Sequence, residues 1–314
     1  MIHTIAVIGA GTMGHGIATV FALHGYPVRL YESFEQVRAT VLDTIRGELD
    51  FMVQEGALPP CRVEQALEHI TVCSRLEPAV ERADFVIEAI PERLELKREL
   101  FAQLDRLCPA ETVFASNTSS LRLDDMTAGL PDARKARTMV CHWYNPAHLI
   151  PIAELSCFGN MDEAVFQEVY DLHRKVGKQP IRVLKDIPGL IANRILHAMA
   201  REVFHLMETG AASAQDIDRA LKYGPGFRSA TAGILETADM GGLDVWCACE
   251  DNLFASLDRS TAACGDLRRR VEQGRLGLKT GAGFFDYPPE VRDAARQAFN
   301  RRLLTQLQAS ETFE

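Results

Sequence analysis

The chain has 314 residues, of which 47% are hydrophobic and 25% are charged, and its net charge is −9. This length allows two domains, and the composition is typical of a globular protein in water. An acidic surface does not attract nucleic acid or an anionic membrane, so neither is expected as a partner. No apolar run approaches the ~20 residues of a membrane-spanning helix. Because a core strand begins almost at the first residue, we also expect no signal peptide.

The eight cysteines do not form the framework of a disulfide-rich protein at this chain length. Cys247 and Cys249 are the one close pair, and neither a second pair nor a histidine stands at zinc-binding spacing from them. The pattern indicates scattered thiols, no metal site and a reducing compartment, which we expect to be the cytoplasm.

The glycines near the N-terminus are the first functional signal. A strand at residues 5–8 runs directly into Gly9-x-Gly11-x-x-Gly14, and a helical pattern follows. In dinucleotide-binding proteins, the first glycine permits a tight turn, the second lets the backbone approach a pyrophosphate, and the third lets the helix pack on the strand. The helix N-terminus then faces the phosphates. We predict a dinucleotide site that includes Thr12 and Met13; the alternative is a structural glycine turn in another doubly wound fold.

Glu32 identifies the expected dinucleotide. It ends the next strand, residues 27–31, about 20 residues beyond the glycines, where an acid accepts hydrogen bonds from the adenosine ribose. A carboxylate there would repel the additional phosphate of NADP, and no arginine follows closely enough to bind that phosphate. NAD is therefore the predicted cofactor.

Beyond Glu32, strands and helices continue to alternate. Helical patterns occupy residues 34–56, 62–69 and 93–107, and strand patterns occupy residues 70–73, 85–90, 112–116, 138–141 and 150–155. This alternation predicts an α/β fold, namely a Rossmann-type doubly wound, mostly parallel sheet with helices on both faces.

The pattern becomes helical after residue 186. Residues 190–208 carry an apolar stripe, and the run from Ser213 to Asp216 is a capping box that opens another helix, which stops at Gly224. We therefore predict an NAD-binding Rossmann domain at residues 1–186 and an all-α domain at residues 187–314.

Polar residues follow the carboxyl ends of several predicted strands, where ligands bind in an open parallel sheet. The run from Ser116 to Ser120 follows one strand, His142 follows another, and Glu92 lies just beyond a third. A histidine at such a place is a candidate acid or base. Glu154 comes 12 residues later on the next strand. We predict that it hydrogen-bonds the imidazole, fixes its tautomer and raises its pKa.

At this point the chain resembles the 3-hydroxyacyl-CoA dehydrogenases. The resemblance covers residues 4–288 and implies a Rossmann domain followed by a helical domain that forms a homodimer, with a place in fatty acid metabolism. It rests on five motifs in order: Glu88-Ala-Ile-Pro-Glu92 with Lys97, Ser116-Asn-Thr-Ser-Ser120, the run from His142 to Glu154, Asp186-Ile-Pro-Gly-Leu-Ile-Ala-Asn193-Arg194, and Leu278-Lys279-Thr-Gly-Ala-Gly.

The same resemblance implies a role for each motif residue. His142 takes the proton of the substrate 3-hydroxyl as hydride passes to the nicotinamide, and Glu154 holds and polarises His142. Ser119 hydrogen-bonds the reacting oxygen, and Asn193 positions the substrate. The positions that correspond to cofactor contacts are Glu92, Lys97, Asn145 and Lys279.

Several of these candidate residues could instead have a structural role. Asn193 could simply cap or pack a helix, and Glu88 could be a buried structural acid. We expect His148 and His197 to have no part in the reaction. Trp143 and Tyr144 could belong to the core or to the pocket.

Two departures from the family bear on the substrate. CoA-using relatives carry Ser and Lys for the CoA phosphates on the helix after the second strand, whereas Glu48 and Glu55 stand at the corresponding positions here and would repel CoA. The sequence that includes Arg228 is more similar to relatives that oxidise free hydroxy acids, such as L-gulonate 3-dehydrogenase (λ-crystallin) and carnitine dehydrogenase. A planar guanidinium is suited to binding a free carboxylate. By contrast, residues 238–244 resemble the acyl-CoA members.

Three hypotheses follow. The leading one is NAD-dependent oxidation of an L-3-hydroxyacyl-CoA, such as 3-hydroxybutyryl-CoA, to the 3-keto compound. The second is NAD-dependent oxidation of a free 3-hydroxy acid or sugar acid, with Arg228 as a substrate-binding residue. The third is a structural NAD(H)-binding protein without turnover, which the intact set of Ser119, His142, Glu154 and Asn193 disfavours.

Overall fold

The N-terminal part of the chain is built on one sheet of eight strands. The computed structural model describes residues 1–310. In chain order the strands are β1 (Ile5–Ile8), β2 (Val28–Tyr31), β3 (Ile70–Cys73), β4 (Phe85–Glu88), β5 (Val113–Ser116), β6 (Thr138–Trp143), β7 (Ile152–Ser156) and β8 (Gln179–Val183). Their order across the sheet is β3-β2-β1-β4-β5-β6-β7-β8. Strands β1 to β6 run parallel, which confirms the predicted doubly wound, mostly parallel fold.

The central strands are covered on both faces. Every residue of β1, β4 and β5 is buried, and successive side chains of a strand point to opposite faces. The connecting helices are α1 (Gly14–Leu23), α2 (Glu35–Gln54), α3 (Cys61–Glu68), α4 (Leu76–Val80), α5 (Leu94–Leu107), α6 (Leu123–Met126), α7 (Asp132–Lys135) and α8 (Glu163–Lys175). The direction of winding reverses between β1 and β4, and ligands bind at this point of a doubly wound sheet.

Strand β6 is longer than predicted. His142 and Trp143 lie within it and not after it, because they pair with Glu154 and Ala153 across the antiparallel β6–β7 ladder. The sequence patterns also did not predict β8, which pairs in parallel with β7, or α8, which precedes it. The antiparallel turn from β6 to β7 places Glu154 directly opposite His142.

The second compact unit of the chain begins at Arg194. Ile191 and Ala192 lie beyond the boundary predicted after residue 186, and their backbone hydrogen bonds to Glu154 keep this segment with the first unit. The helices from this point are α9 (Ala192–Glu208), α10 (Ala214–Tyr223), α11 (Pro225–Ser229), α12 (Ile234–Gly241), α13 (Leu243–Leu253), α14 (Gly265–Glu272) and α15 (Pro289–Ser310).

The second unit is helical, as predicted. Between residues 194 and 310, its β structure consists of two isolated bridges that share Ala282. The predicted capping box is present, because the Ser213 side chain accepts a hydrogen bond from the Asp216 N–H at 3.1 Å. Residues 311–314 of the predicted helical domain lie outside the described residues. Among the helices described, none has the length and apolarity required to cross a membrane.

Candidate active site

The glycine loop between β1 and α1 leaves one place open for a ligand. Gly9 has a φ of +95°, and a Cβ there would lie 2.9 Å from the Ala89 carbonyl oxygen. A Cβ on Gly14 would overlap the Gly9 carbonyl oxygen. The fold itself therefore requires both glycines. By contrast, a Cβ on the exposed Gly11 would meet no atom within 4 Å. The predicted site residues Thr12 and Met13 complete this loop ahead of α1.

Glu32 lies beside this loop, immediately after β2. Its side chain is fixed, because one carboxylate oxygen accepts the Ala10 N–H at 2.9 Å and the other accepts the Phe34 N–H at 2.9 Å. The residue is only 7% exposed. Each carboxylate oxygen has more than one acceptor direction, so Glu32 retains the capacity to accept hydroxyl hydrogen bonds. The open loop and this held acid fit the pyrophosphate and the adenosine ribose of NAD.

His142 and Glu154 form a buried hydrogen-bonded pair. The distance between His142 Nδ1 and Glu154 Oε2 is 2.8 Å. The other Glu154 oxygen accepts the backbone N–H groups of Ile191 and Ala192, both at 2.9 Å. Burial raises the pKa of Glu154, but these three hydrogen bonds outweigh burial and hold the pKa below its ordinary value. Nδ1 is therefore the donor to a carboxylate, and Nε2 is the nitrogen of His142 that can take up a proton.

Tyr144 and Asn193 lie next to this pair. The Tyr144 ring contacts the His142 ring edge-on at a centroid distance of 5.0 Å, and its hydroxyl donates to Asn193 Oδ1 at 2.7 Å. Burial raises the pKa of Tyr144 to about 12, so the hydroxyl keeps its proton. Trp143 instead packs in the hydrophobic core, where its buried ring lies 5.5 Å from the ring of Phe21. The structure thus assigns Tyr144 to the site and Trp143 to the core.

The loop after β5, which carries Ser119, is folded around Glu92. One oxygen of this carboxylate accepts the N–H groups of Ser119 and Ser120 at 3.1 and 3.0 Å, and the hydroxyls of Thr118 and Ser120 at 2.6 and 2.9 Å. Burial raises the pKa of Glu92, but the hydrogen bond from the Thr118 hydroxyl and the charge of Lys97 outweigh burial. The pKa of Glu92 is therefore below its ordinary value. Glu92 therefore sets the conformation of the loop that presents Ser119.

Lys97 is buried next to the Glu92 carboxylate that this loop surrounds. Its ammonium is 3.3 Å from Glu92 and 2.6 Å from Glu88, and its side chain is 1% exposed. Ser116, at the end of β5, also hydrogen-bonds Glu88. Glu88 is therefore a buried structural acid. The buried Lys97 is bonded to Glu88 and Glu92 and so supports the Glu92 loop, while the cofactor contact that the resemblance implies for Lys97 stays a prediction.

The Ser119 loop and the His142 strand are tied together by Asn117, which belongs to the predicted polar run after β5 but was given no role of its own. The Asn117 side-chain oxygen accepts the Trp143 N–H at 2.8 Å. Within the first unit, the structure therefore brings together His142, Glu154, Asn193, Ser119 and Glu92, and Asn145 follows on the exposed turn after β6. Of the predicted residues in the second unit, Arg228 lies on α11 and Lys279 on the turn near Ala282, and both are exposed.

A second polar cluster next to the glycine loop was also missed. His15 follows Gly14 directly and hydrogen-bonds Glu48 of α2 at 2.9 Å, and His148 lies 3.4 Å from the same carboxylate. The signal available in the sequence was the position of His15 beside the third glycine. Glu48 is therefore bonded to His15 and is not a free charge, and His148 lies beside the same carboxylate without a hydrogen bond to it.

The chain matches family models over most of its length. Residues 4–187 match the NAD binding domain of 3-hydroxyacyl-CoA dehydrogenase, and residues 189–287 match the C-terminal domain of the same family. The fold and the site define an NAD-dependent oxidoreductase. The chain belongs to the 3-hydroxyacyl-CoA dehydrogenase family, with NAD as its cofactor.

Individual relatives differ in their named substrates. The 5-formyl-3-hydroxy-2-methylpyridine 4-carboxylate 5-dehydrogenase of Mesorhizobium japonicum is 31% identical over 310 residues, which covers 97% of each chain. A probable 3-hydroxybutyryl-CoA dehydrogenase of Bacillus subtilis is 35% identical over 287 residues, 91% of this chain and 98% of the relative. A crystal structure of the pyridine carboxylate enzyme, described as an NAD⁺-dependent dismutase, superposes with a TM-score of 0.91 at 30% identity and covers 100% of both chains.

Replacing Glu32 by Ala is expected to weaken NADH binding by roughly 10- to 100-fold, the equivalent of a lost charge-assisted hydrogen bond. Discrimination against NADPH should fall at the same time, because the repelling carboxylate is gone. Dissociation constants for both dinucleotides, measured by fluorescence titration, check this result. Glu35→Ala, an exposed acid on α2, is the charge-matched control. An unchanged ratio of NADH to NADPH affinity would remove Glu32 from the ribose site.

Proposed function

We propose that this chain is an NAD-dependent dehydrogenase that oxidises the hydroxyl group of a small free carboxylic acid. The observation that carries this choice concerns α2, the helix that holds the CoA phosphates in CoA-using relatives, and α3, which packs against it. These two helices contain no lysine. All three of their arginines are bonded within the protein: Arg38 to the carbonyls of Glu32 and Ser33, Arg46 to Glu64, and Arg62 to the Leu23 carbonyl.

The charge of this region supports the same choice. Glu48 is engaged by His15, and Glu55 follows α2 as its C-cap residue. The phosphates of CoA would therefore meet no lysine and only paired guanidinium groups on α2 and α3, whereas a tight phosphate site requires free cationic donors. A substrate without phosphates does not need such donors. The whole-chain similarity to a relative named for a pyridine carboxylate is consistent with a free acid.

A 3-hydroxyacyl-CoA is the second candidate substrate. The name of the family and the similarity to the probable 3-hydroxybutyryl-CoA dehydrogenase favour it. Both candidates use the same reacting group, a secondary or primary alcohol whose carbon loses hydride, so they share the chemistry at His142.

The residues of the first unit account for the proton chemistry of such a reaction. NAD, when bound, supplies the hydride acceptor. His142 accepts the hydroxyl proton at Nε2, and the Glu154 carboxylate stabilises the resulting imidazolium through Nδ1. Ser119 is positioned by Glu92 to hydrogen-bond the reacting oxygen, and Asn193 is held by Tyr144 to orient the substrate. The cofactor side of the site consists of Gly9, Gly11, Gly14 and Glu32.

The test is NADH formation from NAD with four compounds assayed side by side: 3-hydroxybutyryl-CoA, free 3-hydroxybutyrate, L-gulonate and 5-formyl-3-hydroxy-2-methylpyridine 4-carboxylate. The last compound offers an oxidisable hydroxyl only as the hydrate of its aldehyde, formed by addition of water. His142→Gln serves as the enzyme blank. We expect turnover with at least one free acid and a lower kcat/KM with the CoA ester. Turnover of the CoA ester alone would overturn the free-acid proposal and restore the second candidate. Binding of NADH without turnover of any compound would favour the structural-protein hypothesis.

We also infer that the second unit forms a homodimer. Large apolar side chains are exposed on α11, α12 and α13, and contiguous exposed apolar surface marks protein interfaces. The most exposed of them are Phe227, Leu235, Met240 and Leu243. Light scattering is expected to give twice the 34.8 kDa chain mass, and the single chain mass would contradict the dimer. All eight cysteines are free thiols. The cytoplasm stays the predicted compartment.

A further inference from the structure

His15, Glu48 and His148 form a partly buried polar cluster beside the glycine loop. They come from α1, α2 and the loop between β6 and β7. His15 Nε2 is 2.9 Å from one Glu48 oxygen, and His148 Nδ1 is 3.4 Å from the other. The side chains are 14%, 25% and 3% exposed, respectively. His15 also contacts the loop itself, since its Nδ1 is 2.6 Å from the Gly11 carbonyl oxygen.

The geometry at His15 fixes its protonation state. Both ring nitrogens lie within hydrogen-bond distance of an oxygen that only accepts: the Gly11 carbonyl on one side and the Glu48 carboxylate on the other. A neutral imidazole carries one N–H and can satisfy only one of them, whereas an imidazolium carries two. Burial lowers the pKa of His15, but the hydrogen bond and charge of Glu48, together with the Gly11 carbonyl, raise it above the ordinary value.

The other ionisable groups of the cluster leave this charge on His15. Burial lowers the pKa of His148, and His15 and Lys178 lower it further against the pull of Glu48. Lys178 donates to the carbonyls of Ala147 and Ile150, and burial lowers its pKa to about 7. At or below neutral pH the charges on Lys178 and His15 both disfavour a charge on His148, and Glu48 compensates the charge on His15. His148 Nδ1 and the Glu48 oxygen that faces it make no hydrogen bond in the described structure.

We propose that His15 is a positioning residue for the dinucleotide, held by Glu48 as an imidazolium that fixes the Gly11 peptide and adds positive charge at the N-terminus of α1. In a trans peptide the carbonyl and the following N–H point in opposite directions. Binding of the Gly11 carbonyl by His15 therefore turns the Thr12 N–H away from His15. The charge itself lies at the second residue of α1, where it adds to the positive end of the helix dipole. This role rests on the NAD site described above.

The proposal gives NADH binding a defined pH dependence. Protonation of His15 favours the bound state, so affinity is high below the raised pKa of His15 and falls as pH rises through it. We expect the NADH dissociation constant of the wild type to increase by roughly 3- to 30-fold between about pH 6 and pH 9. Glu48→Gln should move this transition to lower pH. His15→Gln should weaken NADH binding at low pH and remove most of this transition, and the change with pH that remains in this variant belongs to the buried Lys178, whose pKa is about 7.

Two measurements test the proposal without any substrate. Fluorescence titration with NADH across this pH range uses the wild type, His15→Gln, Glu48→Gln and the control Asp43→Asn, an exposed acid on the same helix. Histidine NMR of the wild type without cofactor follows the His15 ring directly, with the assignment taken from the signal lost in His15→Gln. We expect His15 to be protonated at neutral pH and the Asp43→Asn profile to match the wild type.

The outcomes separate this inference from the cofactor assignment. A neutral His15 at neutral pH, or an NADH affinity that does not change with pH in the wild type, would overturn the inference while the NAD site stands. Failure of the wild type to bind NADH at any pH would overturn the NAD site and this inference together. The NMR result on the wild type remains decisive if a variant does not fold.

Discussion

His142→Gln is expected to lower kcat by about 10²- to 10⁴-fold, the usual contribution of a positioned general base. NADH affinity should stay within about twofold of the wild type, because Nε2 acts on the hydroxyl proton and not on the dinucleotide. The measurement is kcat from NADH formation, with the best compound of the substrate panel, beside the NADH dissociation constant. A collapse of NADH binding would contradict the assignment and make His142 a structural residue.

His142→Asn separates the base from the support of Glu154. An Asn amide can place an N–H near the position of Nδ1, so Glu154 keeps a donor while the basic Nε2 is lost. If the missing base causes the defect, Asn and Gln should lower kcat to a similar extent. Recovery of activity in His142→Asn would instead show that an unpaired, buried Glu154 causes the loss.

Gly11→Ala is expected to leave the protein without cofactor as stable as the wild type, while NADH affinity falls by tenfold or more. The new Cβ meets no protein atom within 4 Å, and the Gly11 φ lies outside the left-handed region. The stability change should therefore stay within about 1 kcal/mol, the usual range for a compatible Gly→Ala change. The same Cβ occupies the open space through which a pyrophosphate approaches the backbone.

Gly14→Ala is the contrasting variant in the same loop. Its Cβ would overlap the Gly9 carbonyl, so the β1–α1 connection must shift. We expect an unfolding free energy lower by about 3 kcal/mol or more. Thermal unfolding of both variants without cofactor, followed by NADH titration, checks the pair. Tight NADH binding by Gly11→Ala would contradict the placement of the pyrophosphate.

The geometry of the site that the sequence could predict depends on local patterns. Gly9, Gly11, Gly14 and Glu32 belong to one strand–helix–strand unit, so their relative places follow from spacing alone. The hydrogen bond between His142 and Glu154 was also predicted from adjacent strands, although the antiparallel direction of β7 that puts them opposite each other was not.

Tyr144 shows a signal that was present but not used. Side chains alternate along extended chain, so residues 142 and 144 share one side and Trp143 takes the other. With His142 assigned to the site, the same alternation assigns Tyr144 to the site and Trp143 to the core, as the contacts show.

The remaining features depend on contacts between distant segments. His15, Glu48 and His148 come from three separate parts of the chain, and only the packing of α1 against α2 and the β6–β7 loop brings them together. The extension of the first unit to Asn193 depends on Glu154, which binds the Ile191 and Ala192 N–H groups. Strand β8 includes Pro180 and exposed positions, so its sequence carries little strand signal.

The central claim is that the glycine loop, Glu32 and His142 serve a single bound dinucleotide. A crystal structure of the wild type with NADH tests it most directly. The account predicts the pyrophosphate over Gly11, the adenosine ribose on the Glu32 carboxylate, and the nicotinamide on the Nε2 side of His142. A nicotinamide ring directed away from His142, with the adenosine still on Glu32, would contradict the assignment of His142 as the base of the reaction.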